Sequence, residues 1–387
     1  MLKRTHALLR AAAARSKGKL RSLDVSGWPA SEAGKLWERN GPCLLRDLVR
    51  DNGATIESLR VHDSMLCDGL DELAATGTFI SLCPNIASGS GQLHCGLSFE
   101  YDEGGHDMKS MTDTIVGILR RDPPYAAVSC HKLSLWLANN MPLNLMAAIA
   151  AGMKEHGSID GLGLGICGRF EHDSDVGEML MEGLQLRNFS SFSSSMVSLP
   201  AITLQLPFLQ ELSLHGPEIE PFFSSGESVV AFITALGASR LIKLMLPCCV
   251  LWGEFPIGAL LIKALTGLRT LKHLDLSDNS SAPYDAAFML KELLVHPDCV
   301  LEELILKGNS LTSASVSEIF NGVVSNTSLR SLSMAHSGSM TVIMDTIRPA
   351  LQLNTTLRKL SFAMNRSKDE AWKRAEKELE AAVAARN

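Results

Sequence analysis

The chain is short of several things, and each shortage removes a class of protein. Only 20% of its 387 residues are charged and only 5% are aromatic. Its 42 acidic and 36 basic residues leave a formal net charge of -6, so no global positive field would draw in a polyanion, and nucleic acid is not an expected partner. No run approaches the roughly 18 to 20 uninterrupted apolar residues that a membrane span requires. Arg10 cuts off Leu8 and Leu9 before the apolar core of a secretory signal can form. No membrane partner is expected. The nine cysteines are scattered without any CxxC spacing, and the single adjacent pair is Cys248 and Cys249. Such a set suits reduced thiols packed as small apolar groups; it indicates neither a zinc site nor a disulfide framework, and it points to a cytoplasmic chain.

Apolar residues, by contrast, make up 46% of the chain, enough to bury a large core. At this length the core is either divided among domains or strung along a repeat array. Self-similarity decides for the array. Leu271, Leu274, Leu276 and Asn279 spell LxxLxLxxN, and Leu301, Leu304, Leu306 and Asn309 spell it again 30 residues later. Leu329, Leu332, Met334 and Ser337 follow after 28 residues, and Leu357, Leu360, Phe362 and Asn365 after 28 more. Upstream, Leu241/Leu244/Leu246/Cys249 and Leu209/Leu212/Leu214/Pro217 keep the register. Looser triplets continue it at Met181/Leu184/Leu186, Ile159/Leu162/Leu164, Lys132/Leu135/Leu137, His94/Leu97/Phe99, Ile56/Leu59/Val61 and Leu20/Leu23/Val25.

A period near 30 leaves about 20 residues after each nine-residue segment, room for a loop and a two- to three-turn helix. Between Leu311 and Val324 the apolar residues recur at three and four, with Thr312 or Ser313 placed as N-cap; Val342, Ile343, Ile347 and Leu351 repeat the pattern. The expected fold is α/β: a leucine-rich-repeat solenoid, a horseshoe with a parallel concave sheet and helices on its convex side. Leucines at places one, four and six point inward. The asparagine at place nine pairs with backbone groups where the chain turns into the apolar interior. At this point the chain resembles the ribonuclease-inhibitor-like class of leucine-rich repeats, most specifically from Leu209 to Asn365. It departs from that pattern at Pro217, Cys249 and Ser337.

Three segments are expected. Residues 1–19 carry Lys3, Arg4, Arg10, Arg15, Lys17 and Lys19 around an alanine run, and read as a capping helix or as a transit or export signal. Residues 20–365 form a solenoid of about twelve turns. Residues 366–387 form a capping helix through Trp372, Leu379 and Val383.

The places between the leucines face the concave surface and would carry binding. Counting them collects Arg60, His62, Tyr101, Trp136, Arg187, Glu211, His215, Lys243, Met245, His273, Asp275, Glu303, Lys307 and His336, with Asn188, Asp278 and Lys359 beside them. Their mixed sign suits a protein partner better than a polyanion, with Trp136, Tyr101, Met245 and the arginines as anchors.

Other clusters read as structural. Asp102, Glu103, His106 and Asp107, like Glu171, His172, Asp173 and Asp175, read as solvated turns and not as a metal loop. Cys130 and His131 are adjacent on a strand and point to opposite faces. The run Gly161, Gly163, Gly165 lacks the signature of a phosphate cradle, and Phe189 to Ser198 reads as an extended serine-rich loop. No cofactor, metal or active site is expected. The reading is therefore a monomeric, non-catalytic scaffold that binds a protein. The resemblance also reaches GTPase-activating members of the class, whose acidic tail is missing from Glu380 to Asn387. It reaches secreted bacterial effectors too, although the 22 residues after Asn365 leave no room for a ligase domain.

Overall fold

The computed structural model describes residues 18–19, 21–24, 52, 55, 58–61, 92–100, 112–113, 116–117, 119–122, 129–138, 143–167, 173–192, 199–215, 226–249, 251–252, 257–279, 284–336, 340–362 and 370–386. The chain forms two compact units, residues 1–168 with 179–186 and residues 169–178 with 187–387.

In the first unit the described strands are β1 (Ser22–Asp24), β2 (Ser58–Val61), β3 (Gln92–Glu100), β4 (Ser129–Ala138) and β5 (Gly161–Cys167). Each pairs in parallel with the next in sequence. Helix α1 (Leu143–His156) connects β4 to β5 and buries Met146, Ile149 and Met153. Its His156, also buried, donates from Nδ1 to the Leu119 carbonyl at 2.8 Å, and Gly152 lets Leu119 approach the helix closely.

The second unit repeats the plan with better definition. Strands β6 (Asn188–Phe192), β7 (Glu211–His215), β8 (Lys243–Met245), β9 (His273–Asp275), β10 (Glu303–Leu311), β11 (Ser331–His336) and β12 (Lys359–Phe362) lie parallel in sequence order. Helix α2 (Asp173–Met181) spans residues of both units; α3 (Leu199–Thr203), α4 (Gly226–Ala238), α5 (Ile257–Leu265), α6 (Tyr284–Val295) and α7 (Ser313–Ser325) alternate with the strands. Thr312 caps α7, its Oγ1 accepting the Ser315 amide at 3.1 Å. One repeat later the helix is broken into α8 (Met340–Val342), a π turn (Ile343–Ile347) and α9 (Arg348–Leu353). Pro349 accounts for this. It has no amide hydrogen and its ring crowds the carbonyl four residues back, so the helix widens there and Arg348 N–H reaches Ile343 O, five residues back.

From Leu209 onward the leucine register is the one the sequence predicts. Leu212, Leu244, Leu274, Leu304, Leu332 and Leu360 stand side by side on successive strands, none more than 5% exposed. Each faces the helices, where Phe232, Leu261, Leu290 and Phe320 are fully buried. Every such side chain contributes about 1.5 to 3 kcal/mol of burial, and each stacks on its counterparts.

Earlier registers need correction. Phe189 lies opposite Leu212 and Ser191 opposite Leu214, so place four of that repeat is Phe189 and not Leu184. The triplet Met181/Leu184/Leu186 is buried, but it runs from the end of α2 to the residues before β6. The serine-rich stretch, expected to be loop from Phe189, is strand through Phe192. Leu133 and not Leu135 lies opposite Leu162 and Leu97, a slip of two residues. Leu59 lies opposite Leu93 and not Leu97, whereas Leu23 and Leu59 do share a rung.

The expected asparagine pairing is present and reciprocal. Asn279 Nδ2 donates to the carbonyls of Leu246, Leu276 and Ser277, while its Oδ1 accepts the Cys249 amide at 2.8 Å. Asn309 does the same one repeat on, donating to Leu276 O and accepting from Asn279 N–H. Cys249 keeps the donor half, its Sγ 3.2 Å from Leu214 O. Thirty-two residues earlier the sequence has Pro217, which carries no amide hydrogen.

A second asparagine column lines the helix ends. Asn326 Nδ2 donates to Leu294 O at 2.8 Å, and Asn354 Nδ2 to Val323 O at 2.7 Å and Asn326 O at 3.1 Å. The last helix, α10 (Glu370–Ala384), packs on β12 and buries Ala375, Leu379 and Val383. Beyond it, Arg386 donates to the carbonyls of Leu351 and Asn354.

Candidate functional site

The site is the face of the second unit's sheet that alternates with the buried leucines. Its residues come from three places per repeat. Place three forms a line across six strands: Glu211, Lys243, His273, Glu303, Ser331 and Lys359. Place five holds Ser213, Met245, Asp275, Ile305, Ser333 and Ser361, and place seven includes His215 and Lys307. All the place-three residues but exposed Lys359 are half-buried, because neighbouring strands stand about 4.8 Å apart and each side chain leans on the next.

Electrostatics divide this face. His273 Nδ1 lies 3.2 Å from Glu303 Oε2, and Ser331 Oγ donates to the other oxygen of Glu303 at 3.2 Å. The carboxylate therefore stands between hydroxyl and imidazole, so His273 has no path to the Ser331 proton. Lys272 donates to Glu302 at 2.6 Å just before β9 and β10, and that hydrogen bond holds the Glu302 carboxyl below its ordinary value. Burial pulls the His215 imidazole below its usual range, with Asp275 acting the other way, so it is neutral at pH 7.

At place eight the chain turns inward with left-handed backbone in three successive repeats, at Cys248 (φ 58°), Asp278 (φ 56°) and Gly308 (φ 70°). Glycine is required at the third, since a Cβ on Gly308 would collide with the Asp278 carboxylate. Cys248 is exposed; partial burial and the nearby Asp278 and Asp275 push its thiol up, so it is a poor nucleophile. Cys249 is buried and raised further by burial. Among the described residues, no group of three or more His, Cys, Asp or Glu side chains is placed to hold a metal ion.

The predicted surface residues are thus distributed unevenly. Glu211, His215, Lys243, Met245, His273, Asp275, Glu303 and Lys307 fall together on the second unit's open face. Arg187 does not: with Phe189 at place four it occupies place two, ahead of β6, where its carbonyl accepts from Gln210 and Glu211. Asn188 moves to place three, opposite Glu211. His336 lies on β11 opposite Leu311 and not Gly308, because β10 carries extra residues between Leu306 and Leu311. In the first unit Arg60 lies opposite His94, and Trp136 opposite Gly165, at place seven instead of five. His62 and Tyr101 lie outside the described residues, as do the loop around Glu103 and residues Glu171 and His172; Asp173 and Asp175, expected in a turn, begin helix α2.

Trp252 escaped the sequence reading. Its Nε1 donates to Asn309 Oδ1 at 3.0 Å, two repeats away, laying the indole along the asparagine column where Gly258 makes room for the ring. No leucine-like period marks such a residue, so its role was visible only in space.

No protein-family model matches the chain. A stretch of 128 residues is 32% identical to NLR family member X1 of Rattus norvegicus; it makes up 33% of this chain and 12% of that protein. Among solved structures, that of the leiomodin-1 actin-binding site 2 aligns with 33% of this chain and 73% of its own at 22% identity, with a TM-score of 0.29. A chain of the TLR13–ssRNA13 complex aligns with 83% of this one and 41% of its own at 17% identity, with a TM-score of 0.41. The thirty-residue unit, its parallel rungs and its reciprocal asparagine column give the described residues the fold of a leucine-rich-repeat solenoid.

Proposed function

We propose that this chain is a binding scaffold that grips a protein partner along the open face of its sheet. The observation that carries the reading is the unbroken line from Glu211 to Lys359, one polar or charged side chain per strand, each followed by a leucine committed to the core. A regular sheet holds such a line at fixed spacing, which pre-organises it for a partner. Its mixed sign, with Met245 and Ile305 between charges, matches the polar-rimmed, partly apolar composition of protein interfaces. The thiol chemistry favours a reducing compartment. Among the described residues no helix is long and apolar enough to cross a membrane.

The test is capture of partners from cell extract on the immobilised chain. Wild type is compared with Lys243→Glu and Asp275→Lys on the open face, and with Lys263→Glu on the exposed side of α5 as control. A partner retained by wild type and the control but lost by both open-face variants supports the scaffold. A partner lost only on the helical side, or substrate turnover by the purified chain alone, refutes it.

A further inference from the structure

Charge pairing stops abruptly along the second unit. At and just ahead of β9 the cations are matched: Arg269 with Asp298 at 2.8 Å, Lys272 with Glu302 at 2.6 Å, and His273 with Glu303 at 3.2 Å. From Lys307 of β10 through β11 and β12 they are not. Arg330, ahead of β11, donates to Thr356 O, and Arg358, ahead of β12, to Thr355 O and Leu357 O. Among the described residues, no carboxylate lies within ion-pair distance of Arg330, Arg358, Lys359 or Lys307; Glu302 feels Arg330 only after Lys272, which holds it.

Lys359 and Lys307 flank a low floor, and Arg330 and Arg358 stand beside it at the strand starts, on the closure-loop carbonyls. Ser333 and Ser361 occupy place five of β11 and β12, and Ala335 place seven, so the sheet here carries only small side chains. Arg330, Arg358 and Lys359 stand at one end of the strands and Lys307 at the other. Five residues of strand separate places two and seven, about 17 Å, and adjacent strands are about 4.8 Å apart. Building on the scaffold reading, we propose that this floor binds an extended acidic segment of a protein partner, with carboxylates at both ends and small or apolar residues between.

Carboxylates are the natural complement, because each arginine has donors left over and makes charge-assisted hydrogen bonds to them. A long nucleic acid fits less well: the floor offers no aromatic ring for base stacking, and Asp275 and Asp278 stand further along the same face.

The experiment uses the full chain and a fluorescent seven-residue peptide with two glutamates at each end and alanines between, read by anisotropy at about 50 mM salt. Saturable binding is expected, weakened tenfold or more by Arg358→Glu and by Lys359→Glu, and by less than twofold by Lys263→Glu, which makes the same change in net charge. Circular dichroism confirms that each variant is folded. Absence of peptide binding to wild type, equal weakening by Lys263→Glu, or displacement of the peptide by equimolar single-stranded oligonucleotide would each overturn the proposal. If partner capture still depends on Lys243 and Asp275 while the peptide fails, the scaffold stands and only this assignment falls.

Discussion

Arg386 donates to the Asn354 carbonyl at 2.8 Å and to the Leu351 carbonyl, the two acceptors that the asparagine of a further repeat would take. One repeat earlier, Asn354 fills the equivalent pair, Asn326 O and Val323 O. A single guanidinium thus closes the helix-end column. Replacing Arg386 with Met should cost on the order of 2 kcal/mol, since it leaves two carbonyls without their donor. Hydrogen exchange should show the loss confined to α9, β12 and α10, and uniform destabilisation of the unit would contradict the terminal role.

Glu376 supplies a pH dependence at the same end. Its residue is 4% exposed, one carboxyl oxygen finds no partner, and Glu380 lies one helical turn away with its own carboxylate accepting the Phe362 amide at 3.0 Å. Burial first, and the Glu380 charge second, raise the Glu376 carboxyl to about 7 from an ordinary 4.5. The folded state therefore holds a proton that the unfolded chain releases. Its stabilisation is full below pH 4.5 and is lost as pH rises toward 7 and past it. Glu376→Gln should match wild type in melting temperature at pH 4.5 and exceed it at pH 8. A difference that stays constant across this range would refute the assignment.

The asparagine column predicts an asymmetry between two neighbours. Asn279→Ala removes a side chain that satisfies groups in two repeats and should cost on the order of 3 kcal/mol in chemical denaturation. Cys249→Asn should gain under 1 kcal/mol, because Cys249 Sγ already meets the Leu214 carbonyl and the sequence one repeat earlier has a proline, without an amide hydrogen, at 217. A gain as large as the Asn279 loss would show that the column does not work through paired amides.

Leu304→Asp is the most severe change expected. The side chain is fully buried between Leu274 and Leu332, and a carboxylate there meets no cation. The loss should exceed about 4 kcal/mol and take the helical circular dichroism signal with it. Parent-like melting of this variant would contradict the stacked-rung architecture.

The later repeats were legible because leucine spacing and core position are the same thing there. From Leu212 to Leu360 every place-four residue is aliphatic, and the helix period between rungs is clean. Upstream, the rule that the inner places carry aliphatic residues misled. Place four at β6 is Phe189 and place six is Ser191, so an aliphatic search slides to Met181, Leu184 and Leu186, which are buried for other reasons. The extra residues of β10 between Leu306 and Leu311 displaced His336 in the same way: an insertion changes no local pattern but moves everything across from it.

By itself the sequence determined the repeat, its α/β class, the inward leucines and the asparagine column, because each follows from short-range periodicity and from side-chain chemistry that recurs in every turn. Tertiary structure alone decided which residues share a rung, that Trp252 reaches Asn309 across two repeats, that Arg386 completes a column begun by asparagines, and that cations at β11 and β12 go unmatched. Those relationships join residues more than twenty positions apart, and strand register rests on the summed packing of neighbouring turns, which no single segment encodes.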